Sequence, residues 1–240
     1  MKLFYDFHIH SCLSLCAEDD MTPCNIANMA ALAGLSAIAV SDHQSALNCP
    51  AVAEACKRAG ITAVPAMELC TREEVHVLCL FSTQEGALLC SDFVRSRLIL
   101  PRSTARIKIR QTVMDAFDNE ISDEKAYLGA AADIGIYDVC GLVDSFGGIA
   151  VPAHIDRPSY SLLANLAFFD PAMGFGTFEV SKDCDSIRLL TEHQELRGKR
   201  FLRNSDAHSL GDISDPVNFI EAADLSVRSI LSALKQEPLF

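Results

Sequence analysis

The sequence has no tryptophan, four tyrosines and only 7% aromatic residues. A surface that stacks successive bases needs aromatic faces, so this scarcity counts against a general single-strand binder. Positive charge is short as well. Twenty lysines and arginines stand against 32 aspartates and glutamates, a formal net charge of −12. Such a chain repels a phosphate backbone unless a local basic groove is built. A mild basic cluster runs from Arg95 to Arg110, but no aromatic residue interleaves there. Nucleic acid is therefore not the expected partner. No stretch reaches the roughly 18 apolar residues of a membrane span. The opening MKLFYDFHIHS has no long apolar run after its lysine, so no signal peptide is expected. A cytoplasmic location is the resulting expectation. There is no C-x-x-C pair among the ten cysteines. Most sit in apolar surroundings such as HVLCLF, where cysteine packs as a small hydrophobe, so reduced core thiols are expected rather than disulfides.

What is present suits one large domain. The chain has 240 residues and is 50% hydrophobic, enough for a sizeable core, and single α/β barrels often run to this size. LFYDF, SAIAV, TAVPAM, HVLCLF, IAVPAH, TFEVS, FLRNS and VNFIE read as strands. Thr22 and Pro23 form an N-cap and first-turn pair for a helix closed by Gly34, and further helices are expected at Pro50–Ala59, Tyr137–Phe146, Asp185–Arg197 and Leu225–Lys235. Alternating strands and helices argue a parallel α/β architecture. The stretch from Leu100 to Glu124 is polar and shows no clear strand. It reads as an insertion over one rim of a single domain spanning residues 1–240.

Seven histidines occur, at 8, 10, 43, 76, 154, 193 and 208. His193, in TEHQELRGK, reads as a surface residue. The other six lie in or at the ends of expected strands. Strand side chains repeat with period two, so His8 and His10 project to one side, as one metal taking two imidazoles from one segment requires. Asp206 and His208 repeat the pattern in NSDAH. Asp42-His43, His154 and Glu68 close three more strands. In an α/β barrel the C-terminal strand ends form the face where chemistry is built. A lone H-x-H means little, but six segments delivering imidazole or carboxylate to one face point to metal. Imidazole and carboxylate without organised thiolates suit zinc, manganese or iron better than calcium.

The segments DFHIHS, VSDH, the glutamate of AMELC, EVHVL, PAHIDRPS and NSDAH resemble, in order, the PHP (polymerase and histidinol phosphatase) superfamily, and most closely its stand-alone bacterial members. The resemblance implies a distorted (β/α)7 TIM-like barrel with two or three divalent ions at the C-terminal ends of the strands. It assigns His8, His10 and Asp206 to a first metal, Glu68 as a bridge to a second completed by His76 and His154, and His43 with His208 to a third. Three-metal relatives carry a histidine six positions after the H-x-H. Cys16 stands there in this chain, with Asp19 and Asp20 close behind as alternative ligands.

The expected activity is hydrolysis of a small phosphorylated substrate by metal-activated water, with Glu68, Asp206 and His208 as candidate catalytic residues. Arg157, three residues past His154, is the candidate phosphate clamp, because its planar fork fits two phosphate oxygens. A structural ion pair with Asp156 or Asp170 is the plain alternative. Lys182, after TFEVS, is a second candidate substrate residue. Competing readings are a nuclease on short oligonucleotides, an amide or ring hydrolase, and a non-catalytic metal-binding module.

Overall fold

The computed structural model describes residues 1–100 and 110–235. Its first strand, β1 (Lys2–Ile9), is buried along most of its length. It pairs in parallel with β2 (Ala37–Val40), which pairs in parallel with β3 (Thr62–Ala63). Helices α1 (Pro23–Ala33) and α2 (Cys49–Ala59) make the two crossovers. Their inward residues Ile26, Ala30, Val52 and Cys56 pack on Ile9, Ile38 and Val40. The Thr22 side chain accepts the Asn25 N–H and Gly34 closes α1 at φ 88, the left-handed conformation that glycine adopts at no steric cost.

The next three strands depart from the parallel expectation. TAVPAM is interrupted at Val64-Pro65, which separates β3 from β4 (Ala66–Cys70). β4 pairs antiparallel with β5 (His76–Phe81), and β5 pairs antiparallel with β8 (Gly148–Pro152). Only Thr71 to Val75 joins β4 to β5. A parallel return needs a crossover of about a dozen residues or more, so this link permits only an antiparallel pair. α3 (Gln84–Arg95), which the sequence reading passed over, follows β5. β9 (Thr177–Val180) pairs in parallel with β10 (Arg200–Arg203), joined through α6 (Ser186–Glu192). A strand β11 (Phe219–Glu221) returns antiparallel onto β1, and α7 (Val227–Lys235) packs Ile230, Leu231 and Leu234 beneath them.

The fold is therefore mixed α/β. Its ladders form separate sheets among the described residues rather than one closed barrel. Backbone bonds outside the ladders link them. Gln44 N–H donates to Glu68 O at 2.8 Å, Ile155 N–H to Glu179 O at 2.9 Å, and His10 N–H to Ala207 O at 2.9 Å.

The stretch expected to lack strands holds a hairpin, β6 (Thr112–Met114) with β7 (Glu120–Asp123). β7 is exposed throughout, so no apolar alternation marks it. Residues 101–109 of the expected insertion, which include part of the Arg95–Arg110 cluster, lie outside the described residues. The hairpin is tied down: Thr112 N–H donates to Cys12 O at 3.0 Å, and Met114 N–H to Asn48 Oδ1 at 3.0 Å. Two expected helices are shorter than the sequence reading. α4 (Val139–Ser145) begins after Tyr137, and Asp185 caps α6, which gives way to a single 3-10 turn at Gln194–Leu196. A short α5 (Leu162–Leu166) was not anticipated. All ten cysteines are free, six of them buried. No helix among the described residues is long and apolar enough to cross a membrane.

Candidate metal centre

Glu68 lies in β4 with 1% of its surface exposed. Five imidazoles ring its carboxylate. His43 Nδ1 and His76 Nδ1 each lie 2.9 Å from one of its oxygens, His8 Nε2 3.3 Å, His154 Nε2 3.4 Å and His10 Nε2 3.6 Å. Yet neither Glu68 oxygen accepts a hydrogen bond, and His154 Nδ1 is also unpartnered. Buried acceptors without donors are costly. A carboxylate ringed by imidazole nitrogens and lacking donors is a donor set for a cation. Asp206 adds a second carboxylate, 3.1 Å from both His8 Nε2 and His10 Nε2. The H-x-H expectation holds: the two Nε2 atoms are 3.2 Å apart.

The elements explain this convergence. β1 delivers His8 and, just past its end, His10. His43 follows β2, His154 follows β8, and Asp206 with His208 follows β10. His76 corrects the expectation of strand C-terminal ends, because it opens β5. An antiparallel strand brings its beginning to the face where its neighbours end. Two ligand candidates also sit at positive φ, His154 at 32 and Asp206 at 54. Such backbone costs about 1–3 kcal/mol for a non-glycine residue and clusters at functional sites.

His10, Cys16, His43 and His208 form a second group, with one ligand atom from each all within 4.8 Å of one another. Cys16 thus stands where the resemblance placed a third ligand. Asp19 and Asp20 join no such group among the described residues. Burial would raise the Cys16 thiol, but hydrogen bonds to His208 and His43 outweigh it and bring the pKa down to about 7. Burial would likewise raise Glu68, yet charge on His76, His8 and His43 holds it well below the usual carboxylate range. Asp206 is lowered too, against the effect of burial, mainly by His8 and His10.

Residues that, Asp42 apart, the sequence did not single out hold the imidazoles in place. Glu179 Oε2 lies 3.0 Å from His8 Nδ1. Ser14 Oγ lies 3.0 Å from His10 Nδ1 and donates to Asp42 Oδ1 at 2.7 Å. Ser11 donates to the other Asp42 oxygen at 2.6 Å. The only hint was polar residues inside otherwise apolar strands, as with Glu179 in TFEVS. A cavity of about 200 Å³ opens over the centre, lined by Cys16, His43, His76, His208, Arg157 and Tyr160 among others. Arg157 pairs with Asp206 at this mouth. It is not engaged by Asp156, which accepts from Ser181, or by Asp170, which accepts from Tyr137. Lys182 is not brought to the centre. It is exposed and does not line the cavity, and its carbonyl accepts from Arg203 at 3.0 Å. His193 lies apart beside Glu195.

The PHP domain family profile matches residues 6–160. The chain belongs to the PHP family. Among solved structures, this chain is similar to the lesion-specific endonuclease PfuEndoQ from Pyrococcus furiosus, with a TM-score of 0.73, 20% identity, and coverage of 98% of this chain and 56% of that one. It is also similar to a putative metal-dependent phosphoesterase from Bifidobacterium adolescentis, with a TM-score of 0.62, 21% identity, and coverage of 95% and 96%. Among curated proteins, the uncharacterized protein YqxK of Bacillus subtilis is 35% identical over 92 residues, 35% of this chain and 23% of that protein. The matches thus cover little more than half of the endonuclease chain and about a quarter of YqxK. At these structural identities the likeness is one of fold.

Proposed function

We propose that this PHP domain hydrolyses a small phosphate ester at a centre of two or three divalent ions, zinc, manganese or iron. The observation that carries the reading is Glu68, buried, without a hydrogen-bond donor and ringed by five imidazoles. His8, His10 and Asp206 would hold one ion, and His76 and His154 a second shared through Glu68. Cys16, His43 and His208 would hold a third. Divalent ions there supply positive charge to a phosphate and activate water for attack. Glu68, Asp206 and His208 are the proposed catalytic residues, because each would help to hold such an ion. Arg157 at the cavity mouth would bind phosphate oxygens, leaving Asp206 to do so. Lys182 has no support as a substrate residue in this reading.

The small cavity and the net charge of −12 favour a small substrate. The second reading, a nuclease, is favoured by the likeness to PfuEndoQ across 98% of this chain. Hydrolysis by metal-stripped protein, before and after adding back manganese, zinc or iron, separates the readings when small phosphoesters are run beside intact and lesion-bearing oligonucleotides. Full activity without metal would overturn the metal-dependent reading, and turnover of oligonucleotides alone would replace the small substrate by nucleic acid.

Two further readings accompany this one. The chain is one domain forming a distorted seven-stranded barrel. In support, the backbone bonds from Gln44, Ile155 and His10 join the ladders in the order β1, β2, β4, β5, β8, β9, β10 and back to β1. The hairpin β6–β7 lies over one rim, with Thr112 on Cys12. The location is cytoplasmic, a reducing setting that suits ten unpaired cysteines.

A further inference from the structure

We infer that Glu179 is the positioning residue that selects which nitrogen of His8 faces the ions, an inference resting on the metal-dependent reading above. Glu179 lies in β9 with 1% of its surface exposed. Its Oε1 accepts the Asn204 Nδ2–H at 2.8 Å, and its Oε2 accepts the His154 backbone N–H at 3.0 Å. Both oxygens face His8 Nδ1, at 3.1 and 3.0 Å.

Two of these donors cannot reverse. The His154 N–H is a main-chain group. Asn204 is fixed because its Oδ1 accepts the Phe7 N–H at 2.8 Å, so flipping the amide would set donor against donor. Glu179 is therefore surrounded by donors and acts as an acceptor only. His8 Nδ1 must then carry the proton toward Glu179. That leaves the lone pair on Nε2, the atom 3.3 Å from Glu68 Oε1 and 3.1 Å from Asp206 Oδ1. A carboxylate behind a ligating imidazole sets its tautomer, fixes the ring and raises its basicity.

The same carboxylate reaches three segments of the centre. It holds a ligand of β1, the backbone of His154, and Asn204 two residues before Asp206. Glutamine cannot replace it. It offers one accepting oxygen and one N–H₂ group, so one of the three donors would meet another donor.

The test uses the full chain labelled with ¹⁵N-histidine and loaded with Zn²⁺ alone. The His8 ring should keep its proton on Nδ1 and ligate through Nε2, and the opposite tautomer would overturn the proposal. Glu179→Gln should bind zinc about 10- to 100-fold more weakly in competition with a chelator, with an unchanged circular dichroism spectrum, and Glu179→Asp should restore part of the loss. Wild-type zinc affinity and an unshifted His8 signal in Glu179→Gln would also overturn it. If that variant does not fold, the wild-type tautomer decides. Should the wild type take up no divalent ion, the metal-dependent reading falls and this proposal with it. Zinc uptake with either contrary result removes the proposal alone.

Discussion

The inner and outer histidine groups share His10 and lie side by side, yet they are built differently. His8, His10 and Glu68 are buried within or beside strands, and buried polar side chains back both imidazoles, Glu179 behind His8 and the Ser14–Asp42 pair behind His10. Cys16, His43 and His208 sit at the mouth of the cavity, and Cys16 comes from an exposed loop. His208 has its Nδ1 turned to a backbone oxygen, Asp206 O at 2.8 Å, with the partly exposed Asp206 carboxylate farther off at 3.8 Å. Fixed ligands lose little freedom when an ion binds, whereas loop ligands must be ordered at that moment. The inner group should therefore hold metal tightly and the outer group exchange it.

The largest test removes Glu68, a member of the inner group that also lies 2.9 Å from His43 of the outer one. Glu68→Gln should lose metal and turnover together, by roughly 3–5 kcal/mol in transition-state stabilisation, because its imidazole and ion partners are left without a buried counter-charge. His193→Ala, away from the centre, should change neither metal content nor rate. Equal behaviour of the two variants would end the distinction between centre and surface.

Arg157→Ala comes next. It should keep its metals and raise KM by about 30-fold, near 2 kcal/mol, the low end for a charged contact because the arginine is 40% exposed. An unchanged KM across active substrates would make the Arg157–Asp206 pair structural.

Cys16→Ser sharpens the comparison directly. Zinc content by mass spectrometry should fall by about one ion per chain, since a protein zinc site typically takes at least three protein ligands, while the inner ions remain. Loss of all metal would show that the groups bind as one unit.

The smallest effect is a pH dependence. In metal-free protein, alkylation of Cys16 by iodoacetamide should reach half its maximal rate near pH 7 and fall as pH falls below that, because only the thiolate reacts. The thiol pKa is depressed by folding, so its contribution to stability is present at high pH and is lost as pH falls through about 7. Burial pushes Cys140 and Cys184 up to about 11, and Cys12, Cys49, Cys56, Cys70 and Cys90 to about 12. At pH 7.5 these should stay unlabelled. Zinc should protect Cys16, and labelling that zinc does not slow would place it outside the outer group.

The candidate ligands His8 and His10 were legible in the sequence because strand geometry has a short period: HIH puts alternate residues on one side whatever the surrounding fold. Glu179 was not, because a lone glutamate in a four-residue strand has no period to announce it. Strand direction was hidden too. HVLCLF is apolar whether it runs parallel or antiparallel, and only the short connection Thr71 to Val75 decides. The hairpin escaped because β7 buries nothing. Arg157 was legible as a cation near His154, but its true partner, Asp206, lies 49 residues away and no local pattern connects them.

Of the described strands, β1 is made earliest and completed last. One side finds β2 early, while the other waits for Ala207 and for β11 at Phe219–Glu221. As the chain leaves the ribosome, that open side exposes unpaired backbone beside Leu3, Tyr5 and Phe7, a template for pairing with another nascent chain. Asp206 arrives on the segment that closes this side. Completion of the proposed ligand set and disappearance of a sticky edge are thus one event in the birth of the molecule, and a truncated product lacking residues beyond 204 should be both metal-deficient and prone to aggregate.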